Sequence, residues 1–410
     1  MSSSSTSVSG LRRFGAVLLI VGTSIGGGML ALPIATATMG LVSAIFYLFL
    51  TWFLMVVGAL LIVEVNAWLP ESSNLISMAG KTTGKFGQAL AWVAYLLLLY
   101  SLLPAYIAGG QEVVVTILHY MKIKITPTTA VFIFLILFSI VVYSGIRHVD
   151  WMNRLIMAVK LVAYLAMIAF ALPFVHGSSL IQVKTFGITM STAMIMITSY
   201  GFAIIVPSLR TYLNNNIRVL RRTVIIGSFI PLIFYLLWEC VIFGVLPERG
   251  ANSLQSLAES QQPVSTLMQT LGHLSHFTII GVFANIFTSV CVITAFLGVS
   301  LCLLDFLADG LNVKKNGGSG IFLYLLTFIP PLLLALFAQK VFIYALSFAG
   351  IFCVFLLILQ PAWMAWVGRY YRQFPYAYRV LGGKFLLLVL ISVSLLLLGM
   401  EVALKIFSMP

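Results

Sequence analysis

The chain is a succession of long apolar runs separated by short polar segments. A window of about 20 residues, the length of a helix that crosses a bilayer, finds eleven such runs in the sequence. The pattern predicts an all-α polytopic membrane protein with about eleven transmembrane helices, preceded by a polar, disordered tail at residues 1–13. The predicted spans are residues 14–39, 42–68, 86–118, 128–145, 154–175, 188–213, 223–246, 275–308, 321–338, 341–367 and 385–407.

The first span is interrupted by three consecutive glycines. Residues 22–33 have the sequence GTSIGGGMLALP, with Gly26, Gly27 and Gly28 at the centre. An unsatisfied backbone group in lipid costs several kcal/mol, so a helix interrupted at this depth must be buried in protein or line a cavity. Close helix packing of the GxxxG type is the alternative for Gly22 and Gly26, but three adjacent glycines weaken a helix more than packing requires.

The sixth span contains a similar segment. The motif TSIG at residues 23–26, with Pro33 downstream, is echoed by TSYG at residues 198–201, with Pro207 downstream. In both spans the glycine falls about twelve residues from the start, or about 18 Å at the helical rise, so both interruptions lie near the midplane. Interrupted spans in corresponding halves of a chain indicate the substrate site of an inverted-repeat secondary transporter.

The first ten spans divide into five plus five. We therefore predict a first inverted repeat at residues 14–175 and a second at residues 188–367, with helices 1 and 6 broken. Residues 385–407 form an additional eleventh helix. Opposed half-helices direct N–H groups at an anion and carbonyl groups at a cation, and a zwitterionic amino acid presents that pair of charges.

Composition agrees with this class, and the charges orient the chain. Only 8% of the residues are charged, against about 25% in soluble domains. The 23 Lys and Arg residues outnumber the 10 Asp and Glu, and they gather on one side of the predicted membrane. Since basic loops remain in the cytoplasm, we expect a cytoplasmic N-terminus, a C-terminus on the opposite side of the membrane, and no nucleic-acid partner. The inside residues are Arg12, Arg13, Lys81, Lys85, Arg147, Arg154, Arg210, Arg218, Arg221, Arg222, Lys314, Lys315, Arg369, Arg372, Arg379 and Lys384; the outside residues are Lys122, Lys124, Lys184, Arg249, Lys340 and Lys405.

Two other classes of function fit the residues less well. An intramembrane enzyme would need a nucleophile with a base, or a metal cluster, at credible spacing, and neither is found in the sequence. The four cysteines lack the spacing of metal ligands or of a disulfide framework, so no metal is expected. A channel is a third possibility, but interruptions in both halves favour alternating access around one occluded site.

Four segments together resemble the hydroxy/aromatic amino acid permeases of the amino acid/polyamine/organocation superfamily: GTSIGGGMLALP (22–33), AYIAGG (105–110), TSYGF (198–202) and FLGVSLCLLDFLAD (296–309). The resemblance covers nearly the whole chain after residue 10 and is greatest with tyrosine-transporting members. It implies the five-plus-five, LeuT-like fold with an eleventh helix, and uptake of tyrosine by proton symport without a cofactor. It also implies a location in the bacterial inner membrane, so that the C-terminus is periplasmic. Tryptophan or a small hydroxy or neutral amino acid is the alternative substrate, and a monomer is expected. Ser24, Gly27 and Gln111 depart from the family pattern, which bears on the substrate more than on the mechanism.

The resemblance also implies a binding site. It places the substrate carboxylate on the backbone N–H groups of residues 26–28, where glycine permits close approach, and the amino group against carbonyls at the two breaks. Aromatic side chains complete the pocket; for Phe287 and Phe296 a place in the core is an equal alternative. The residues at the breaks are Thr23, Ser24, Ser199, Tyr200 and Gly201, and the pocket residues are Tyr106, Phe202, Phe287 and Phe296.

Ionisable residues inside spans are functional candidates by default. In related proton-coupled carriers a lysine of the fifth span takes the place of a sodium ion, and the resemblance gives this role to Lys160. Its alternative is snorkelling to the near interface, which is about 9 Å away. Glu112 and Glu239 are weaker candidates for the proton path. Glu64 and Asp305 lie nearer the ends of their spans, and we expect them to pair with arginines.

Overall fold

The computed structural model describes residues 9–71, 73–143, 146–180, 187–247, 250–260, 262–274, 278–313, 317–337, 341–375 and 378–407. Some sequence predictions fall elsewhere. Most of the polar tail, parts of the predicted spans at 144–145, 275–277 and 338, and the charged residues Lys184, Arg249, Lys314, Lys315 and Lys340 lie outside the described residues.

The described part of the chain is helical throughout. The helices of its first half are α1 (Gly10–Ser24), α2 (Gly27–Thr36), α3 (Leu41–Ala67), α4 (Leu75–Thr82), α5 (Gly84–Tyr120), α6 (Pro127–Tyr143), α7 (Ile146–Ala171) and α8 (Gly177–Leu180). Those of the second half are α9 (Met190–Ser199), α10 (Val206–Tyr212), α11 (Ile217–Val245), α12 (Leu254–Glu259), α13 (Pro263–Leu274), α14 (Thr278–Leu311), α15 (Gly317–Phe337), α16 (Val341–Val354), α17 (Gln360–Tyr370) and α18 (Gly383–Phe407). Shorter segments are the 3-10 turns Leu172–Phe174 and Gly201–Ile205 and the π-helical turn Phe355–Leu359.

The prediction of an all-α polytopic membrane protein is confirmed. Among the described residues, 9 helical segments are each long and apolar enough to cross a membrane, and α1 with α2 makes a tenth. The predicted fourth span corresponds to α6, an apolar helix of 17 residues that is shorter than the others. The eleven predicted spans therefore become ten spans of full length and one short apolar helix.

Helix α2 lies at the centre of the bundle. Every residue of α2 except Ala35 is buried, and the helix packs against α9, α11 and α14. The short helices α12 and α13 also pack against α2. In contrast, only four residues of α1 are buried: Ala16, Ile20, Val21 and Ser24. The two halves of the first span therefore have different surroundings.

Charged side chains form ion pairs and hydrogen bonds at the ends of several spans. Arg369, in the last turn of α17, forms a bidentate pair with the carboxylate of Glu64 on α3, with N–O distances of 2.7 and 2.6 Å. The same carboxylate accepts a 2.7 Å hydrogen bond from the backbone N–H of Val380. The expected pairing of Glu64 with an arginine is confirmed, and it attaches the segment after α17 to α3. Arg210 donates hydrogen bonds to the carbonyl of Asn66, in the last turn of α3, and to that of Leu69, just beyond the helix, at 2.9 Å.

Candidate functional site

The first break separates α1 from α2 at Ile25 and Gly26, and the two helix axes differ by 49°. The N–H of Ile25 still bonds to the carbonyl of Val21 at 2.9 Å, whereas Gly26 is extended, with φ −148° and ψ −150°. The next helix therefore starts again at Gly27, and its first N–H groups have no partner within the helix. Donors at the start of α2 and carbonyls at the end of α1 thus lie side by side.

Tyr106 and Ser199 pack closely against the start of α2. A Cβ atom on Gly27 would lie 2.6 Å from Cε1 of Tyr106, and one on Gly28 would lie 2.7 Å from Oγ of Ser199. Only glycine permits approaches this close. The structure thus brings together four of the residues expected to bind substrate, from α2, α5 and α9.

The second break is milder than the first. Helix α9 ends at Ser199, Tyr200 has φ −99° and ψ 30°, and the 3-10 turn Gly201–Ile205 leads into α10. The segment Met190–Tyr212 remains a single span. We attribute the difference to the single glycine, since one glycine allows the hydrogen-bond ladder to tighten without the extended residue that separates α1 from α2.

The hydroxyl groups at the breaks bond within their own helices. Oγ1 of Thr23 donates to Leu19 O at 2.7 Å, and Oγ of Ser24 donates to Ile20 O at 3.1 Å. Oγ of Ser199 donates to Ile195 O at 2.8 Å. The hydrogen of each of these hydroxyl groups is therefore already donated within its own helix.

Lys160 joins α7 to the first break. The side chain is 1% exposed, and its Nζ donates a hydrogen bond of 2.7 Å to the carbonyl oxygen of Ile25. A snorkelling lysine would extend to the membrane interface, whereas this ammonium lies at the carboxyl end of α1, where a positive charge is favourable. The geometry is compatible with proton coupling, which stays a prediction.

Tyr235 joins the two breaks to each other. Its hydroxyl lies 2.7 Å from the carbonyl oxygen of Ser24 and 2.7 Å from that of Ser199. The side chain is fully buried on α11, and its ring lies 5.0 Å from the ring of Tyr200. Two carbonyls that were expected to meet a substrate amino group therefore share one tyrosine hydroxyl.

Of the four aromatic residues expected to line the pocket, Tyr106 and Phe202 lie at the breaks. Tyr106 contacts Gly27, and Phe202 is fully buried within the 3-10 turn. Phe287 is also buried, with its ring centroid 5.4 Å from that of Tyr164 and 6.4 Å from that of Trp238. Phe287 therefore packs between α7 and α11.

Phe296 occupies another part of the core. Its ring lies 5.0 Å from Phe134 and 6.0 Å from Phe328, so it packs toward α6 and α15. Its neighbour Ala295 is the residue of α14 that faces the first break, 4.0 Å from a Cβ atom built on Gly26. Side chains of adjacent residues in a helix point about 100° apart. The face of α14 that contacts Gly26 therefore carries Ala295, whereas Phe296 points toward α6 and α15.

Glu112 is also placed apart from the first break. It lies six residues after Tyr106 on α5, about 9 Å along the helix, and is partly buried. Lys160, in contrast, bonds directly to Ile25. A part for Glu112 in the proton path stays a prediction.

Open space adjoins the breaks on the α1 side. A Cβ atom on Gly201 or Gly298 would meet no atom within 4 Å, and both glycines are partly exposed. Thr23 is exposed as well, one turn before the buried start of α2. The site is thus covered on the α2 side and more open on the α1 side.

Comparison with known proteins assigns the chain to a family. The model of the tryptophan/tyrosine permease family matches residues 11–401. The chain belongs to the tryptophan/tyrosine permease family. It is 31% identical to the tyrosine-specific transport system 2 of Haemophilus influenzae over 94% of this chain and 95% of that relative. It is also 32% identical to glutamine transporter 2 of Aliivibrio fischeri (94% and 98%) and 29% identical to a tryptophan-specific transport protein of H. influenzae (91% and 91%). The chain is therefore a multi-pass transport protein and not an enzyme.

Two residues that face the breaks of this permease were missed from sequence. Tyr235 lies in an apolar run, and its only signal is a hydroxyl that must find a partner when buried. Ala295 gives no signal, because its importance comes from its small size beside Gly26. Helix packing places both residues at the breaks, and packing between distant helices cannot be predicted from a local sequence motif.

Proposed function

We propose that this permease imports an aromatic amino acid, tyrosine first, by proton symport with alternating access. The observation that carries the proposal is the first break, where the unpaired N–H groups at the start of α2 adjoin the carbonyls at the end of α1. These groups complement a carboxylate and an ammonium, respectively. Two of the three relatives described above are named for tyrosine or tryptophan.

The proton is carried by Lys160 in this proposal. A protonated Lys160 holds α7 to the carbonyl of Ile25. Loss of the proton weakens this hydrogen bond and shifts the balance between two conformations of the carrier. A second contribution from Glu112 is less favoured, since it lies about 9 Å along α5 from Tyr106, whereas Lys160 bonds to the first break itself.

The proposal includes a five-plus-five inverted repeat around the two breaks, in the bacterial inner membrane with the N-terminus in the cytoplasm. The open space beside Gly201 and Gly298 then faces the cytoplasm, and α12 and α13 cover α2 on the periplasmic side. This arrangement supports an inward-facing state in which substrate is released. The outward-facing state requires the α1 side to close and the α2 side to open.

The test is uptake into proteoliposomes that contain the purified protein. Labelled tyrosine, tryptophan, phenylalanine, glutamine and serine are supplied with and without an inward proton gradient, with the membrane potential clamped. We expect tyrosine to accumulate only when the gradient is present. Accumulation that ignores the gradient would refute proton symport. Uptake of glutamine without any aromatic amino acid would favour the second candidate, a glutamine carrier, which the 32% identical relative suggests.

A further inference from the structure

Three buried polar atoms beside the second break have no hydrogen-bond partner among the described residues. They are Oη of Tyr200, Nε1 of Trp238 and Oε1 of Glu239. Buried polar groups in folded proteins are almost always bonded, and each exception calls for an explanation. A ligand or a water molecule that the fold is built to receive is one such explanation.

Glu239 is held in one orientation by α2. Its side chain is fully buried, and Oγ1 of Thr36 donates a 3.0 Å hydrogen bond to Oε2. The second carboxyl oxygen, Oε1, is therefore the one left for another partner. A buried carboxyl group with only one of its oxygen atoms hydrogen-bonded destabilises the folded state.

The carboxyl group lies one helical turn from the residue that joins the two breaks. Tyr235 and Glu239 are four residues apart on α11, so their side chains share one face at a rise of about 6 Å. The ring of Tyr200 lies 5.0 Å from that of Tyr235. Trp238 places its ring 6.4 Å from Phe287. Polar atoms thus lie along the face of α11 that carries Tyr235 and Glu239, and aromatic surface lies on the neighbouring face that carries Trp238.

This combination fits an aromatic ring that carries a hydrogen-bond donor. Glu239 bonds to Thr36, which lies nine residues or about 13 Å along α2 from Gly27, so a substrate whose carboxylate is held at the start of α2 reaches Glu239 with its ring extended along α2. The phenol O–H of tyrosine and the indole N–H of tryptophan both donate, whereas the ring of phenylalanine has no polar hydrogen.

We propose that Glu239 is a specificity-determining residue that accepts a hydrogen bond from the ring donor of the substrate, with Tyr200 as a second polar contact. This inference rests on the proposed function, because it requires the amino acid backbone to sit at the breaks. The carrier then distinguishes tyrosine and tryptophan from phenylalanine by a hydrogen bond rather than by shape. A site built to bond such a donor rejects the analogue that lacks it.

The test compares ligand pairs that differ in the ring donor. Binding is measured for the purified full-length protein in nanodiscs, with tyrosine against phenylalanine, and with tryptophan against its benzothienyl analogue, in which sulfur replaces the indole N–H. In the wild-type protein we expect each donor ligand to bind at least about tenfold more tightly than its partner. Glu239→Met, which keeps the length but removes the acceptor, should bring both ratios close to one. Glu239→Gln keeps an acceptor and should retain most of the preference.

Glu401→Met is the matched control, since Glu401 is another buried carboxyl residue but lies on α18. This variant should keep the wild-type ratios. A Glu239→Met protein that binds tyrosine with the wild-type preference would overturn the inference, and so would a wild-type protein that shows no preference. Loss of gradient-driven uptake in Glu239→Met with unchanged ratios would make Glu239 a proton carrier instead. Absence of binding by every aromatic amino acid would refute the proposed function itself, whereas equal binding of all of them refutes only this inference.

Discussion

The side-chain nitrogen of Lys160 lies 2.7 Å from the main-chain carbonyl oxygen of Ile25. Ile25 is the residue at which α1 stops, so a charge on the fifth predicted span is attached directly to the interruption of the first. Any change in the charge of this lysine is therefore felt at the end of α1 rather than in the surrounding lipid.

Lys160→Gln should uncouple transport from the proton gradient. Glutamine keeps much of the length and can still donate to Ile25, but it does not titrate. We expect uphill uptake to fall to the level reached without a gradient, while exchange of labelled for unlabelled substrate continues. Lys81→Gln, in the last turn of the short helix α4, is the control. Wild-type accumulation and pH dependence in Lys160→Gln proteoliposomes would show that the lysine serves structure alone.

Gly27→Leu should abolish substrate binding without preventing insertion. A Cβ atom at this position already lies 2.6 Å from the Tyr106 ring, and the remaining leucine atoms would cover the N–H groups at the start of α2. Overpacking of this kind costs about 1–3 kcal/mol of stability, and the covered N–H groups leave no donor for the substrate carboxylate. Gly399→Leu, where a Cβ atom meets nothing within 4 Å, should bind normally. Tyrosine binding by Gly27→Leu at wild-type affinity in a scintillation proximity assay would contradict the site.

Tyr235→Phe should loosen the connection between the breaks. Removal of the hydroxyl leaves the carbonyls of Ser24 and Ser199 without this donor, and a buried group that loses its partner costs about 1–3 kcal/mol. Tyr164→Phe is the matched control, because its hydroxyl bonds to the carbonyl of Phe234 at 2.7 Å and not to a carbonyl at either break. Both variants should unfold at a lower temperature, but only Tyr235→Phe should alter the KM for uptake. Equal kinetic effects would remove Tyr235 from the site.

The pair Glu64–Arg369 should show strong coupling in a double-mutant cycle. Breaking a buried pair leaves one charge without compensation, at a cost of about 3–5 kcal/mol. Glu64→Met and Arg369→Met should each destabilise the detergent-solubilised protein strongly, and the double variant should be less destabilised than the sum of the two. Thermal unfolding measures all three. Additive losses would mean that the 2.6 Å ion pair contributes little to the fold.

The spans and the first break could be predicted because both depend on local sequence. Long apolar runs specify membrane helices, and three adjacent glycines specify where the first helix stops. The surroundings of Phe296 could not be predicted in this way, since they depend on which face of α14 turns toward α6. The same limit applies to Tyr235 and Glu239, whose contacts join residues far apart in the chain.

The carbonyls of Ser24 and Ser199 both lie within hydrogen-bond distance of a single hydroxyl, that of Tyr235. A phenol has a single hydrogen to donate, so at any instant it completes the carbonyl of Ser24 or that of Ser199, but not both. An ammonium group carries three hydrogens and could satisfy both acceptors together. Among the described residues, Tyr235 thus offers one hydrogen to two buried acceptors, one on α1 and one on α9, and the proposed substrate ammonium would bring the hydrogen that completes the second.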